Sequence, residues 1–149
     1  MENRFESFTI TVLKINKLIH KIKQREMYEY DLKAIHVMCL YFLNERKTGY
    51  TASELMRLTC EDKAAISRAL KLLRDKSLAD YDPDSYNAPV KLTQRGSAVA
   101  QEIILKIDKA VNAVSAEFTD FERKFFYESL NAIADNLSRY YKELTNADD

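Results

Sequence analysis

The stretch that decides the fold runs from Tyr50 to Leu92: YTASELMRLTCEDKAAISRALKLLRDKSLADYDPDSYNAPVKL. Its spacing predicts a short helix opening at Thr51. Thr51 can cap it, and Glu54, three residues on, completes a reciprocal capping box. Leu55 and Leu58 are its core residues. A second helix follows from about Asp62 to Lys76, with Ile66, Ala69, Leu70 and Leu73 on its core face and Asp62 placed to complement the helix dipole. Its other side carries small and basic residues: Lys63, Ala64, Ala65, Ser67, Arg68 and Lys71. Leu78 to Tyr81 and Val90 to Leu92 then read as two short strands around Asp82-Pro83-Asp84, the size of a β-hairpin wing. A short helix followed by one with an exposed small-and-basic face is the sequence form of a helix-turn-helix reader of duplex DNA. With the ribbon after it, the module reads as a winged helix-turn-helix.

Outward from this module the chain is helical on both sides. Phe5, Phe8, Val12, Ile15, Ile19 and Ile22 alternate spacings of three and four, which is one apolar stripe down a helix of roughly five turns. The next helix spans about Asp31 to Asn44, with Leu32, Ile35, Met38, Cys39 and Phe42 facing inward. Glu45 to Tyr50 is a polar break containing Gly49. After the ribbon, Thr93 caps a helix reaching about Ala116, whose stripe is Val99 or Ala100, Ile103, Ile107, Ala110 and Val114. Thr119 caps the last helix, again with a glutamate three residues later, Glu122. That helix carries Phe121, Phe125, Leu130, Ile133, Leu137, Tyr140 or Tyr141, and Leu144. No repeat and no low-complexity linker interrupts the chain. The expectation is one domain, 1–149, with 29–92 as the winged module and 1–28 and 93–149 as dimerisation helices.

The dimer expectation comes from surplus apolar surface. The stripes on the first, fifth and last helices exceed what the small central module can cover. Packing the chain ends together and against a second copy gives a two-fold dimer, with its readers at fixed separation. Phe8, Val12, Ile15, Ile19, Phe125, Ile133 and Leu137 are the candidate seam. The alternative is a monomer whose terminal helices merely cap the core.

Composition narrows the class. A chain of 149 residues can bury a real core. With only two glycines and two prolines it has little room for turns, which argues a mainly helical protein. Net charge is zero but unevenly spread: residues 51–76 carry six Lys/Arg against four Asp/Glu, and residues 117–149 carry four against eight. A mildly basic centre suits a DNA binder whose contact face is local. The N-terminus lacks a signal-peptide core and no run approaches a membrane span, so a reducing cytoplasm is the expected compartment. Cys39 and Cys60 form neither a disulfide framework nor a Cys-x-x-Cys pair. Cys39 reads as a small buried hydrophobe. Cys60, just before the reader helix, is the more plausible of the two as an oxidant sensor. His20 and His36 lack partners at metal-ligand spacing. His36 reads as a satisfied, partly buried histidine, with an effector-pocket lining as the other reading. No nucleophile elbow, P-loop or dinucleotide fingerprint appears, so neither an enzyme nor a cofactor or metal is expected.

A reader helix needs small side chains, so that its backbone can sink into the major groove, and a few donors that reach base edges and phosphates. Arg68 is the candidate for a bidentate base contact, or with a minor adjustment for a phosphate. Lys63 and Lys71 suit phosphates, Ser67 suits either, and Ala64 and Ala65 allow close approach. The same face also fits an ordinary solvated helix surface. A winged-helix module that binds protein rather than DNA is the alternative function, favoured by the acidic wing and neutral total charge.

The chain also resembles the multiple antibiotic resistance regulator (MarR) family. T-A-S-E-L at 51–55 resembles the family's third helix, and A-I-S-R-A-L-K-L-L-R-D-K-S-L at 65–78 resembles its recognition helix and exit turn. K-L-T-Q-R-G at 91–96 resembles the L-T-x-x-G that follows the wing, and T-D-F-E-R-K at 119–124 resembles the start of the last helix. The resemblance covers nearly the whole chain and is strongest from 51 to 96. It implies a mainly α winged helix-turn-helix protein, a homodimeric transcription regulator on a pseudo-palindromic operator. Family members often lose DNA affinity when a small phenolic or other lipophilic ligand, an oxidant or a metal binds. The resemblance therefore implies a repressor released by a small ligand, with an activator as the other reading; Thr51 is counted with the DNA-binding residues.

Two departures stand out. The family's exit-turn glycine is replaced by Ser77. Its wing carries Asp-x-Arg, whose arginine enters the minor groove; here Asp84 keeps the aspartate and Tyr86 takes the arginine's place. From Asp80 to Pro89 the wing holds three aspartates and no cation, with Lys91 just beyond. Such a wing has little attraction for phosphates. Tyr86→Arg is therefore expected to tighten duplex binding and steepen its salt dependence, by about 0.9 in the slope of log affinity against log salt per new phosphate contact. Titration of both proteins at several salt concentrations checks this; weaker binding with an unchanged slope would mean that the tyrosine already serves the wing.

Overall fold

The computed structural model describes residues 3–85 and 87–146; Tyr86 and the Phe5 side chain lie outside what it describes. The elements are α1 (Arg4–Glu26), a 3-10 turn (Tyr28–Tyr30), α2 (Ala34–Glu45), α3 (Ala52–Thr59), α4 (Lys63–Asp75), β1 (Ala79–Asp80), β2 (Lys91–Leu92), α5 (Gln94–Val114) and α6 (Asp120–Asn146). They fall into two compact units, Met1–Ile107 and Asp108–Asp149.

In the first unit, α2, α3 and α4 pack around Val37, Leu40, Leu55, Ile66 and Leu73, all fully buried, and Val90 and Ile103 close the same core. The four core residues expected on α4, Ile66, Ala69, Leu70 and Leu73, are all buried. The capping box at Thr51 forms as the sequence indicates: Glu54 N–H donates to Thr51 Oγ1 at 3.2 Å, and Thr51 N–H donates back to Glu54 Oε2 at 2.8 Å. Leu58 is a correction, being 40% exposed. The inward face of α3 is the set Ala52, Leu55, Met56 and Thr59, spaced by three and four, and Leu58 falls beside it.

α2 also differs from its reading. It begins at Ala34 rather than near Asp31, because Asp31 takes a left-handed φ of 50° after the 3-10 turn. It buries His36, Val37, Leu40 and Leu43 along with Cys39, while Ile35, Met38 and Phe42 are partly covered. A helix packed on more than one side shows no single stripe, so a one-face reading misses half of it. Burial pushes the Cys39 thiol up to about 12, so this cysteine is an inert core group.

The small sheet pairs β1 with β2 antiparallel, Ala79 opposite Leu92 and Asp80 opposite Lys91. A third segment joins at its base. Tyr50, read from sequence as part of a polar break, exchanges both backbone hydrogen bonds with Val90, at 3.1 and 2.8 Å. Gly49 makes that approach possible: its φ is +88°, and an added Cβ would lie 2.3 Å from the Val90 carbonyl oxygen.

The exit from α4 locks onto the start of α5. Ser77, in the position where a glycine is usual, takes a left-handed φ of 57°. Its carbonyl accepts from Thr93 Oγ1 at 2.7 Å, and Thr93 Oγ1 accepts from Gly96 N–H at 2.9 Å, so Thr93 caps α5 as expected. Gly96 sits so close to Leu78 that a methyl group there would overlap the Leu78 carbonyl, at 1.7 Å. The glycine of the L-T-x-x-G pattern is thus a packing requirement.

In the second unit, Thr119 forms the capping box with Glu122: Thr119 N–H donates to Glu122 Oε2 at 2.8 Å, and Glu122 N–H donates to Thr119 Oγ1 at 3.2 Å. Rings stack along α6, with Phe121 and Phe125 centroids 6.5 Å apart.

His36 is buried at the first turn of α2, where its Nδ1 accepts from Lys33 N–H at 2.8 Å. That bond requires an unprotonated Nδ1, so the neutral ring carries its proton on Nε2. Burial first, then Lys33 and Lys76, hold its pKa below the usual histidine value, against a smaller opposing effect of Asp31. With the folded pKa depressed, the stability that neutral His36 contributes is complete above the unfolded value of about 6.5 and is lost as pH falls through the folded one. Urea midpoints are expected to drop from pH 7.5 to 5, and His36→Gln, which keeps an acceptor but cannot titrate, is expected to flatten that drop.

Candidate nucleic-acid interface

The candidate face on α4 is set by the turn between α3 and α4. Cys60 ends α3 in a left-handed conformation, φ 57°, and Glu61 N–H closes the turn on the Met56 carbonyl at 3.2 Å. Asp62 then opens α4 by accepting from Ala65 N–H at 2.7 Å. Cys60 is exposed at this turn.

With one face of α4 buried, the opposite face is set. Lys63, Ala64, Ser67, Arg68 and Lys71 are exposed and follow one another around consecutive turns, with Ala65 half-buried at their edge. Among the described residues, none of Lys63, Arg68 and Lys71 forms an ion pair with a carboxylate. The face is therefore small side chains with three free cations, the composition that a groove-entering helix needs. Thr51 lies apart from this row, at the N-terminus of α3, and its hydroxyl is already engaged in the capping box.

Behind the reader face, two contacts hold α4 at its C-terminal end. Lys76 Nζ pairs with Asp31 at 3.0 Å, and the Arg74 guanidinium lies over the Tyr81 ring at 5.4 Å. The latter ties the helix to the first strand of the wing.

The wing itself is short and acidic. Asp84 N–H donates to Asp82 Oδ1 at 3.0 Å, a side-chain-closed turn. Asp80, Asp82 and Asp84 are all exposed, as is Lys91. Asp84 and Lys91, the described wing residues of the sequence reading, are thus solvent-facing; Tyr86 lies outside the described residues.

A cluster at the wing's base was not visible in the sequence. Arg46, at the C-terminus of α2, donates from Nε to the Gly49 carbonyl at 2.8 Å and from Nη2 to Glu54 Oε1 at 2.7 Å. Its guanidinium stacks on the Tyr50 ring, 3.5 Å from the centroid. The Arg46 hydrogen bond is the largest cause holding the Glu54 carboxyl down at about 2, with the Thr51 backbone donor next. Such a cluster depends on a loop folding back, and no spacing rule announces it.

No family model matches the chain, and no curated protein matches it. Solved structures do. A MarR protein from Peptoclostridium difficile superposes with a TM-score of 0.82 at 18% identity, over 97% of this chain and 95% of that one. A MarR-family regulator from Neisseria meningitidis gives 0.79 at 19% identity, over 95% and 98%. Staphylococcus aureus MepR, solved as a DNA complex, gives 0.79 at 15% identity, over 91% and 99%. The fold is the MarR fold. Its helix order, the short wing and the long terminal helices all agree with the sequence resemblance, at identities where shape alone carries the likeness.

Proposed function

We propose that this MarR-like chain is a sequence-specific duplex-DNA-binding transcription regulator acting as a homodimer, a repressor released by a small ligand. The observation that carries the reading is the α4 face: exposed Lys63, Ser67, Arg68 and Lys71 with Ala64, set outward by a fully packed opposite side. That one structural neighbour is a DNA complex supports it. Arg68 is assigned to a base edge, Lys63 and Lys71 to phosphates, Ser67 to either, Ala64 and Ala65 to close approach, and Thr51 to a backbone contact from the α3 N-terminus.

The homodimer is supported by apolar surface left open in each unit. Phe8, Val12, Ile15 and Ile19 are each more than 40% exposed along α1. Phe125, Ile133 and Leu137 are exposed along α6. Contiguous apolar surface on this scale marks an interaction site. For an effector, an open cavity of about 750 Å³ lies beside the end of α1, lined by Lys21, Arg25, Tyr28 and Lys106 among others. Glu26 and Glu29 line it as well and both pair with Lys106, which leaves Lys21, Arg25 and the Tyr28 ring as its groups open to a polar aromatic ligand. No helix among the described residues is long and apolar enough to cross a membrane.

The acidic wing favours one second reading, a winged-helix module that docks on a basic protein surface. Salt-dependent retardation of labelled duplex separates the two. Arg68→Ala is expected to weaken binding of a selected duplex by about 1–3 kcal/mol, with unchanged circular dichroism; unaltered affinity would overturn its assignment. For the dimer, Ile15→Asp and Leu137→Asp are each expected to cost several kcal/mol of assembly by burying a charge. Sedimentation equilibrium reads this directly, and a folded wild-type monomer at micromolar concentration would contradict the dimer.

A further inference from the structure

We propose that Arg46 and Glu54 form a positioning pair that sets the wing against the reader helix, and so governs DNA affinity without touching DNA. This rests on the DNA-binding reading above. Glu54 is shared between two tasks. Its Oε2 closes the capping box on Thr51, and its Oε1 receives Arg46 at 2.7 Å. Arg46 in turn holds the Gly49 carbonyl at 2.8 Å and stacks on Tyr50. Tyr50 is the residue paired with Val90, where the chain leaves the wing hairpin for β2. One guanidinium therefore joins the end of α2, the start of α3 and the base of the wing. α3 leads into α4 through a tight turn, so the angle between wing and reader passes through this joint.

The arrangement needs the arginine fork. A lysine keeps the charge but, with a single ammonium, cannot hold the Gly49 carbonyl and the Glu54 carboxylate in the same planes while stacking on a ring. It also gives the glutamate a role of unexpected sign. A carboxylate near a DNA-facing surface repels phosphate, so its neutralisation should strengthen binding by Coulomb's law alone. A positioning role requires the opposite. Glu54→Gln retains a side chain able to complete a capping box, so α3 keeps its N-terminus.

The test uses the full chain and a duplex selected by the wild type from a random pool, with affinities measured at several salt concentrations. Arg46→Lys, Arg46→Met and Glu54→Gln are each expected to bind about tenfold more weakly, the loss of roughly one well-placed base contact. The salt slope should stay at the wild-type value, and the Arg46→Met/Glu54→Gln double variant should be no weaker than either single one, as for two halves of one device. In the absence of DNA, amide exchange at Tyr50 and Val90 should be faster in Arg46→Lys than in wild type, while circular dichroism is unchanged. Tighter binding by Glu54→Gln would overturn the proposal. So would retained affinity in Arg46→Lys with a salt slope lowered by about 0.9 in Arg46→Met, which is the signature of a direct phosphate contact. A wild type that selects no duplex rejects the DNA reading, and the affinity claim with it. Unchanged exchange at Tyr50 and Val90 rejects the positioning pair on its own.

Discussion

Ile66, Ala69, Leu70 and Leu73 fix the rotation of α4 about its own axis, and that rotation decides what the protein presents to the outside. All four are buried in the core, and a close-packed interior tolerates no slip. A turn of the helix by one residue, about 100°, would drive Ser67 or Lys71 into the apolar core and expose Ile66. The small-and-basic face is therefore the complement of the core. Its chemistry is available only because the apolar residues opposite have no other place to go. The caps support the same setting: Asp62 begins the helix at a defined residue, and the Ser77 turn ends it at another.

What was legible in the sequence follows from this division. α4 has a clean period, four apolar positions at spacings of three and four, so both its core and its outward face could be read directly. The capping boxes at Thr51 and Thr119 were equally plain, because the chemistry sits within three residues. α2 was misread in part, since a helix covered on several sides has no polar stripe to set its phase, and His36 enters the core by making its own hydrogen bond. The Tyr50–Val90 pairing and the Arg46 cluster were invisible. Both need a backbone approach that a single glycine, Gly49, permits, and no local pattern reports which distant carbonyl it will meet.

The two ends of the chain differ from the centre in what their side chains are for. In the winged module nearly every large apolar residue of α2 and α4 is at least partly covered. α1 shows the reverse: its periodic stripe, as regular as that of α4, remains open to solvent from Phe8 to Ile22. Apolar pairs at helical spacing add only about 0.2–0.5 kcal/mol each to an isolated helix, so most of the burial energy such a stripe could supply is unused while it faces solvent. α6 presents the same problem with aromatic rings, Phe121 being 78% exposed. Both helices are formed, and both leave rows of apolar side chains exposed.

A net charge of zero is compatible with binding a polyanion, because fields in physiological salt are local. The Debye length is about 8 Å, so the acidic C-terminal stretch matters to a bound duplex only where it comes that close. What counts is the charge within one such length of the groove. On the proposed DNA-binding reading those charges on α4 are Lys63, Arg68 and Lys71, unpaired among the described residues. On the wing they are Asp80, Asp82 and Asp84. On that reading the two parts act on a duplex with opposite sign. Affinity on that reading depends on how far the wing is held from the phosphates, since repulsion falls with distance and with the salt between. A joint that fixes that spacing is worth more to an acidic wing than to a basic one, which would be drawn to the backbone without help. If the proposed reading holds, the Arg46 cluster and the hairpin's three aspartates belong together: the wing contributes shape, and α4 contributes attraction.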